Sequence, residues 1–435
     1  LVCFICFQGL ISLADFDAIV VGAGIAGLSS GYVMASAGLN ILVVERGKVP
    51  GSKNVTGGRI YTHAIEKFTP ELMEDLPFER EIVKERISFL TDESATTLEF
   101  SGKTEGRSYT VIREKLDGWL AGKVEEKGGI VASGVRVDDL IREEDTTGIC
   151  AGDDEITARA VIIADGVNSP LGKKAGLRDD FKAEELAVGV KEVIKLGEEE
   201  INRRFQVDSK EGVANLMVGS PTDGLPGGGF LYTNLETISL GIVANVKEIA
   251  SHGSDLDELL SGLKEHPYVR PLINGGTTVE YSAHMIPEGG IRAIPKLVGE
   301  GYLLTGDAAG FCLNTGFTVR GMDFAFASGV LAAQTIIKCS EKNDFSLKSL
   351  ALYEQLLESE FVLKDLRKFE KAPIFLSSSR IYSLYPDLVN VMVKKIFDIK
   401  GEQETLCKQI REAIKEADVS TFTLMKDLWK GSRIL

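Results

Sequence analysis

Residues 17–46 read DAIVVGAGIAGLSSGYVMASAGLNILVVER. Beyond Asp17 the opening run is short and wholly apolar, as in a strand covered on both faces of a parallel sheet. Gly22, Gly24 and Gly27 follow at G-x-G-x-x-G spacing. Small and apolar residues then recur at helical spacing over 25–37, Gly38 closes the helix, and NILVVER supplies a second buried strand. In such a β-α-β unit the absent side chains let the turn close, let the backbone approach a pyrophosphate, and let the helix pack on the strand. The helix N-terminus faces the negative charge. Glu45 ends the second strand eighteen residues after Gly27, where a carboxylate can accept hydrogen bonds from the 2′-OH and 3′-OH of a ribose. Arginine can read a 2′-phosphate, but Arg46 stands after the acid, so FAD or NAD is expected over NADP.

Two more glycine-bearing turns choose between FAD and NAD. Each follows an apolar run: Ala164, Asp165 and Gly166 lead to Ser169, and Gly306 and Asp307 lead to Ala308 and Ala309. A carboxylate at a strand end, beside a glycine that lets the backbone close in, suits a polyol, and Asp307 is the candidate for the ribitol. Alternatively each Asp merely caps the helix that follows it. Both turns together with the opening motif favour FAD. A helix opens near Gly321 and Met322; if its N-terminal amides aim at the isoalloxazine N1 and C2 carbonyl, they stabilise the anionic reduced flavin. Gly316 and Gly321 let the backbone lie close to the ring.

Working outward, 47–58 is a polar loop rich in Gly, Pro, Ser and Asn. Strands are expected over 86–100, at 109–113, across 128–141 and in ARAVIIADG, with a helix over 114–127. From 176 to 290 the texture changes to alternating strands with helices at 198–205 and 256–264. The chain therefore reads as α/β. A discontinuous Rossmann-like FAD-binding domain (15–60, 108–176 and 291–345) carries an inserted α+β substrate or acceptor domain (61–107 and 177–290). An amphipathic helical region follows over 346–435. Residues 1–14, LVCFICFQGLISLA, are uncharged, too short to span a bilayer, and without the basic start and cleavage site of a signal peptide. They are expected to be a non-structural leader.

At 435 residues the chain is long enough for two to three domains, and 44% hydrophobic with 26% charged residues is a soluble, foldable balance. A net charge of −15 argues against a nucleic-acid binder and against electrostatic docking on an anionic bilayer. The six scattered cysteines read as reduced thiols, so a cytoplasmic setting is expected, peripheral at the inner face of the membrane at most. Cys3 and Cys6 form a lone C-x-x-C in the leader. Four histidines, His63, His252, His266 and His284, form no metal pair at helical spacing, and a G-x-S-x-G elbow is absent, so neither a metal site nor a hydrolase is expected. No catalytic residue is assigned. His63 and His284 are proton-relay candidates, although an ordinary hydrogen-bonded histidine is the commoner state for each.

The strings DAIVVGAGIAGLSSGYVMA, PGSKNVTGGRIY, VIREKLDGWL, VIIADGVNSPLG, GGGFLYTN, EYSAHMIPEGG and GDAAGFCLNTGFTVRGMDFA together resemble the FixC-like branch of the electron-transfer-flavoprotein:quinone oxidoreductases. The likeness runs closely over 15–373 and extends into the tail. It implies a flavoprotein that takes electrons from an electron-transfer flavoprotein and hands them to a quinone or a small iron-sulfur protein. Carried over by residue, it puts Arg113 against the cofactor, Asp165 and Gly166 in the middle motif, and 51–58 over the flavin. Gly227 to Phe230 and the 282–290 strand fall on the acceptor side. The cofactor-binding set expected is Gly22, Gly24, Ile25, Ala26, Gly27, Glu45, Arg46, Lys53, Asn54, Gly57, Gly58, Arg113, Val137, Ala164, Asp165, Gly166, Gly306, Asp307, Gly316, Gly321 and Met322. Full-length quinone reductases of the family hold a 4Fe-4S cluster on four cysteines; after Cys339 this sequence has only Cys407, so the resemblance places that centre on a separate ferredoxin-like subunit. Prenyl-lipid (geranylgeranyl-type) reductases and aromatic hydroxylases share the flavin fold, and saturation of a prenyl lipid is the alternative activity. The Tyr-x-Trp-x-Phe-Pro stretch of the prenyl reductases is replaced here by GGGFLYTN.

Overall fold

Strand Ala18–Val21 is buried along its whole length because parallel neighbours and helices cover it on every side. In the computed structural model, which describes residues 14–52, 58–143, 146–417 and 419–435, it lies inside a six-stranded sheet. The order is Val298–Gly299, Tyr302–Leu304, Val161–Ile163, Ala18–Val21, Ile41–Glu45, Ile130–Ser133. All neighbours are parallel except the Val298–Gly299 hairpin strand. Val20 stands between Ile162 and Val43, so the strand ends that carry the three glycine turns rise side by side. Most of the leader, including Cys3 and Cys6, lies outside the described residues, as do Lys53, Asn54 and Gly57.

Helix Ile25–Ser36 packs against the long helix Met322–Lys342. The crossing is close: a Cβ on Gly329 would lie 2.1 Å from the Ala26 carbonyl oxygen, which no larger residue permits. Helix Arg113–Glu126 also packs against Ile25–Ser36. An antiparallel ribbon, Asp139–Glu143, Thr146–Ala151 and Asp154–Ala158, fills the connection between Ile130–Ser133 and Val161–Ile163.

A second, nine-stranded sheet runs Thr277–Pro287, Leu186–Lys195, Thr237–Asn245, Gly227–Thr233, Glu211–Gly219, Glu81–Leu90, Ser108–Thr110, Arg59–Tyr61, with Ala95–Ser101 paired to Glu81–Leu90. One face forms a core of Val190, Val213, Leu231, Leu240 and Ile242 under the helices Glu198–Phe205 and Leu256–Glu265. The other face carries Ile87, Leu216, Phe230 and Tyr232 toward a large cavity.

The structure changes two local readings. Arg59, Ile60 and Ser108–Thr110, which the sequence groups with the cofactor-binding segments, belong to the paired strands Arg59–Tyr61 and Ser108–Thr110, which join Glu81 through Tyr109 and so extend the second sheet. The strand expected at 109–113 stops at Thr110. Val111 N donates to Gly58 O at 2.7 Å and Leu116 N already donates to Ile112 O at 2.9 Å, so Arg113 opens a helix instead.

The C-terminal region is helical, with Leu384–Phe397, Leu406–Glu416 and Thr421–Ile434 as its last three members. Buried Asn390 docks it on the second sheet: Nδ2 donates to Phe89 O at 2.8 Å, and Oδ1 accepts from Ser94 Oγ at 3.2 Å and Thr96 Oγ1 at 3.1 Å. Among the described residues no helix is long and apolar enough to cross a membrane.

Candidate active site

A cavity of about 1590 Å³ is bounded by the strand ends of the six-stranded sheet, the open face of the nine-stranded sheet and the C-terminal helices. Its polar arm gathers the three glycine-bearing turns. Gly22 has φ +107°, and a Cβ there would stand 2.2 Å from the Ala164 carbonyl oxygen, so the first turn can meet the second only as glycine. Glu45 is pinned beside them: Oε2 accepts from Ala23 N at 2.9 Å and Oε1 from Gly47 N at 2.6 Å. Gly24, Ile25, Ala26, Arg46, Gly58, Val137, Ala164, Gly166 and Gly306 share the same wall. Gly27 does not line the cavity; a Cβ on it would sit 1.9 Å from Gly22 O, so its place is in the helix-to-strand contact.

The two aspartates of the turns differ. Asp165 Oδ2 accepts from Leu171 N at 3.0 Å, capping helix Pro170–Lys174, and burial holds its carboxyl above the usual range. The capping alternative therefore describes one role of Asp165. Asp307 makes no such cap and looks onto the cavity. Burial raises its pKa, while the neighbouring His284 and Arg113 pull it back down. Burial lowers the pKa of His284, and Asp307 opposes that shift. Arg113 also lines the cavity, its guanidinium set by wholly buried Asp117 through contacts of 3.0 Å (Nε to Oδ1) and 2.8 Å (Nη2 to Oδ2). Gly321 is the N-cap of helix Met322–Lys342, and Gly316, Gly321 and Met322 all reach the cavity.

Of the two relay candidates, His284 is on the cavity wall. His63 belongs to a cluster behind the start of the long helix, where Nε2 lies 3.2 Å from Arg320 Nη2 and 3.5 Å from Asp323 Oδ2, and its ring meets Phe361 edge-on at 4.7 Å.

Three side chains at the site escape a reading of motifs. Buried Arg178 donates through Nη1 to Val167 O at 3.0 Å and to Ala308 O at 2.9 Å, and its guanidinium lies 3.8 Å from the Phe181 ring centroid. It thereby staples the second glycine turn to the third. Arg59 lines the cavity, paired with Glu85 and hydrogen-bonded to Ser108 Oγ at 3.1 Å. Glu288 faces the cavity with Asn314 Nδ2 donating to Oε1 at 3.0 Å. Only the adjacent glycines of PEGG hint at Glu288, and nothing in the sequence marks Arg178.

A second arm is apolar. Ile87, Phe89, Leu216 and Val243 form its floor, and Leu388, Val389, Met392 and Leu424 its roof. Near the junction, wholly enclosed Tyr232 has its phenol pushed far up by desolvation. FAD fits the polar arm. Side-chain-free turns would expose amides to the pyrophosphate, and the carboxylates of Glu45 and Asp307 would accept from the ribose and ribitol hydroxyls.

Comparison with known proteins agrees with this geometry. Residues 15–218 match the FAD binding domain family and residues 372–435 the ETF-QO/FixC family C-terminal domain. The chain is 48% identical to the probable electron transfer flavoprotein-quinone oxidoreductase YdiS of Escherichia coli K12 over 97% of this chain and 99% of that protein. It is 46% identical to protein FixC of Escherichia coli O157:H7 over the same shares. Among solved structures, a geranylgeranyl bacteriochlorophyll reductase-like protein from Thermoplasma acidophilum shares the fold, with a TM-score of 0.72 at 21% identity over 96% of this chain and 99% of that one. A variant of the halogenase PltM solved with FAD gives a TM-score of 0.62 at 15% identity, over 93% and 84%. The chain belongs to the electron-transfer-flavoprotein quinone oxidoreductase and FixC family, and it is an FAD-dependent oxidoreductase.

Proposed function

We propose that this oxidoreductase collects electrons on FAD from an electron-transfer flavoprotein and passes them to a quinone or, through a separate ferredoxin-like subunit, to an iron-sulfur centre. The observation that carries the quinone branch is the single cavity with two chemically different arms, a polar one that suits a dinucleotide and an apolar one that suits a lipophilic acceptor. Within the polar arm, Glu45 takes the adenosine ribose, the glycine turns take the pyrophosphate, and Asp307 takes the ribitol. Gly321 and Met322, at the N-terminus of their helix, would supply partial positive charge to a flavin bound there. FAD, once bound, supplies the store of two electrons; Arg113 and Arg46 on the cavity wall would hold it through its negative charge.

The four described cysteines, Cys150, Cys312, Cys339 and Cys407, are free, and no group of three or more His, Cys, Asp or Glu among the described residues is placed to hold a metal. The family resemblance is what favours an iron-sulfur relay on a separate ferredoxin-like subunit. The apolar arm reaches Leu428, which is 66% exposed next to Trp429 and Phe422, and this supports a peripheral contact with the inner face of a membrane. Saturation of a prenyl lipid would use the same apolar arm. Anaerobic mixing decides: the flavin is expected to be bleached by reduced electron-transfer flavoprotein and recoloured by a short-chain quinone without change to the prenyl chain. Bleaching by NADPH alone, followed by loss of a prenyl double bond, would replace this function with the lipid reductase.

A further inference from the structure

Strand Thr277–Pro287 and the turn after it put His284, Ile286 and Glu288 on the cavity wall at alternating positions. His284 interacts with Asp307, Arg113 and Arg46, at the dinucleotide end. Glu288 is about 13 Å further along, at roughly 3.3 Å per residue. Its charge acts on Cys312, which Asp307 also reaches, and on Tyr382, which belongs to the C-terminal region. Asn314 ties it to the flavin end: Nδ2 donates to Glu288 Oε1 at 3.0 Å, and Oδ1 accepts from Gly316 N at 2.8 Å, where Gly316 lines the cavity. Glu288 thus stands where the polar arm turns into the apolar one.

Its surroundings differ from those of the carboxylates nearby that are paired with arginines. Glu85 is paired with Arg59 and Asp117 with Arg113, whereas burial raises the pKa of Asp165 and Asp307. Glu288 is hydrogen-bonded by a neutral amide, and burial raises its pKa, which favours the protonated acid. A protonated carboxyl on a cavity wall is a hydrogen-bond donor with a proton to give.

We propose that Glu288 is the proton donor to the carbonyl oxygen of a quinone bound at the junction of the two arms; this rests on the quinone reading given above. The step balances with reduced flavin as the reductant. With the bound flavin in its anionic reduced form, two electrons and one proton would pass from it to the quinone, the O–H bond of Glu288 would break as an O–H bond of the quinol forms, and solvent water would return a proton to the carboxylate. The flavin ends oxidised and the quinone ends as quinol. Asn314 is a positioning residue that holds the carboxyl in place.

The test uses FAD-loaded wild type, Glu288→Gln and Glu288→Asp, each reduced anaerobically and mixed with a short-chain quinone or with ferricyanide, which takes electrons without a proton. In wild type the quinone rate is expected to fall as pH rises through the titration of Glu288. Glu288→Gln is expected to be about 100-fold slower with the quinone and to lose that pH profile, as for removal of a general acid. Ferricyanide should reoxidise it at the wild-type rate, and Glu288→Asp should recover part of the quinone rate. Independently of turnover, adding quinone to the oxidised wild type should shift a protonated-carboxyl infrared band that Glu288→Gln lacks. A Glu288→Gln rate and pH profile equal to wild type would overturn the donor role while leaving the quinone reading intact. Equal slowing with both oxidants, or no carboxyl band in wild type, would overturn it as well. A wild type that reacts with ferricyanide and with no quinone would sink the quinone reading and the donor role together.

Discussion

Arg178 shows how a residue outside every motif can hold a site together. Its two carbonyl acceptors, Val167 O and Ala308 O, belong to turns that meet only in the folded chain. Burial lowers its pKa and the nearby charge of Asp165 offsets that shift, so a neutral replacement would leave the two carbonyls without their donor and Asp165 without a neighbouring cation. Arg178→Met is expected to weaken FAD retention about 10- to 100-fold, the equivalent of losing one or two hydrogen bonds to a buried charge. Fluorescence of FAD released on dialysis measures this, and full retention would show that the staple is dispensable. The glycines and acids of the first turn were legible because their spacing is local. Arg178 was not, since its acceptors lie 11 and 130 residues away.

Glu288 also predicts a dependence of stability on pH. Its folded pKa lies above the ordinary carboxylate value, so the folded state keeps the proton after the unfolded chain has released it. The stability contributed this way is fully present below the usual carboxylate range and is lost as pH rises through the raised value. Glu288→Gln should therefore flatten the pH dependence of the urea midpoint of the FAD-free protein and match or exceed wild-type stability near neutrality. A variant less stable than wild type at pH 7 would contradict the assignment of a half-buried, protonated acid.

At the scale of elements, the core of the six-stranded sheet could be read from sequence because strands buried on both faces write themselves as continuous apolar runs. The helix at Glu198–Phe205 was equally plain, flanked by glycine and amphipathic. The edge strand Arg59–Tyr61 and its neighbour Ser108–Thr110 were harder, being three residues each and held by pairing with distant partners. The roof of the apolar arm was legible as helices but not as a roof, because its position depends on Asn390 reaching the backbone of Phe89 from 301 residues away. Asn390→Ala would leave the Phe89 carbonyl and the Ser94 and Thr96 hydroxyls without this partner, at a cost of about 1–3 kcal/mol. The melting temperature should drop and proteases should cut first within 384–435. An unchanged melting curve would mean that other contacts hold these helices.

For the whole molecule, a net charge of −15 places a negative field around the chain. If a basic face on the donor flavoprotein is selected by that field, its rate of flavin reduction should decline steeply between low and physiological salt. A rate indifferent to ionic strength would remove charge from the recognition of the donor. The exposed apolar side chains of the last helix, Phe422, Met425, Leu428 and Trp429, point to a second surface of opposite character. Replacing Phe422 and Trp429 with Ser is expected to abolish sedimentation with phospholipid vesicles without loss of bound FAD; equal sedimentation of both proteins would exclude that surface.

All of this depends on three turns, far apart in sequence, converging on a single flavin nucleotide. Titration of FAD into the FAD-free protein, followed by flavin absorbance, addresses that convergence in wild type, Gly24→Val and Asp307→Ala. One FAD per chain is expected in wild type, with at least about 10-fold weaker binding in each variant, since each removes contacts to a different part of the same molecule. Wild-type affinity and an unshifted flavin spectrum in Asp307→Ala would show that the third turn does not touch the cofactor.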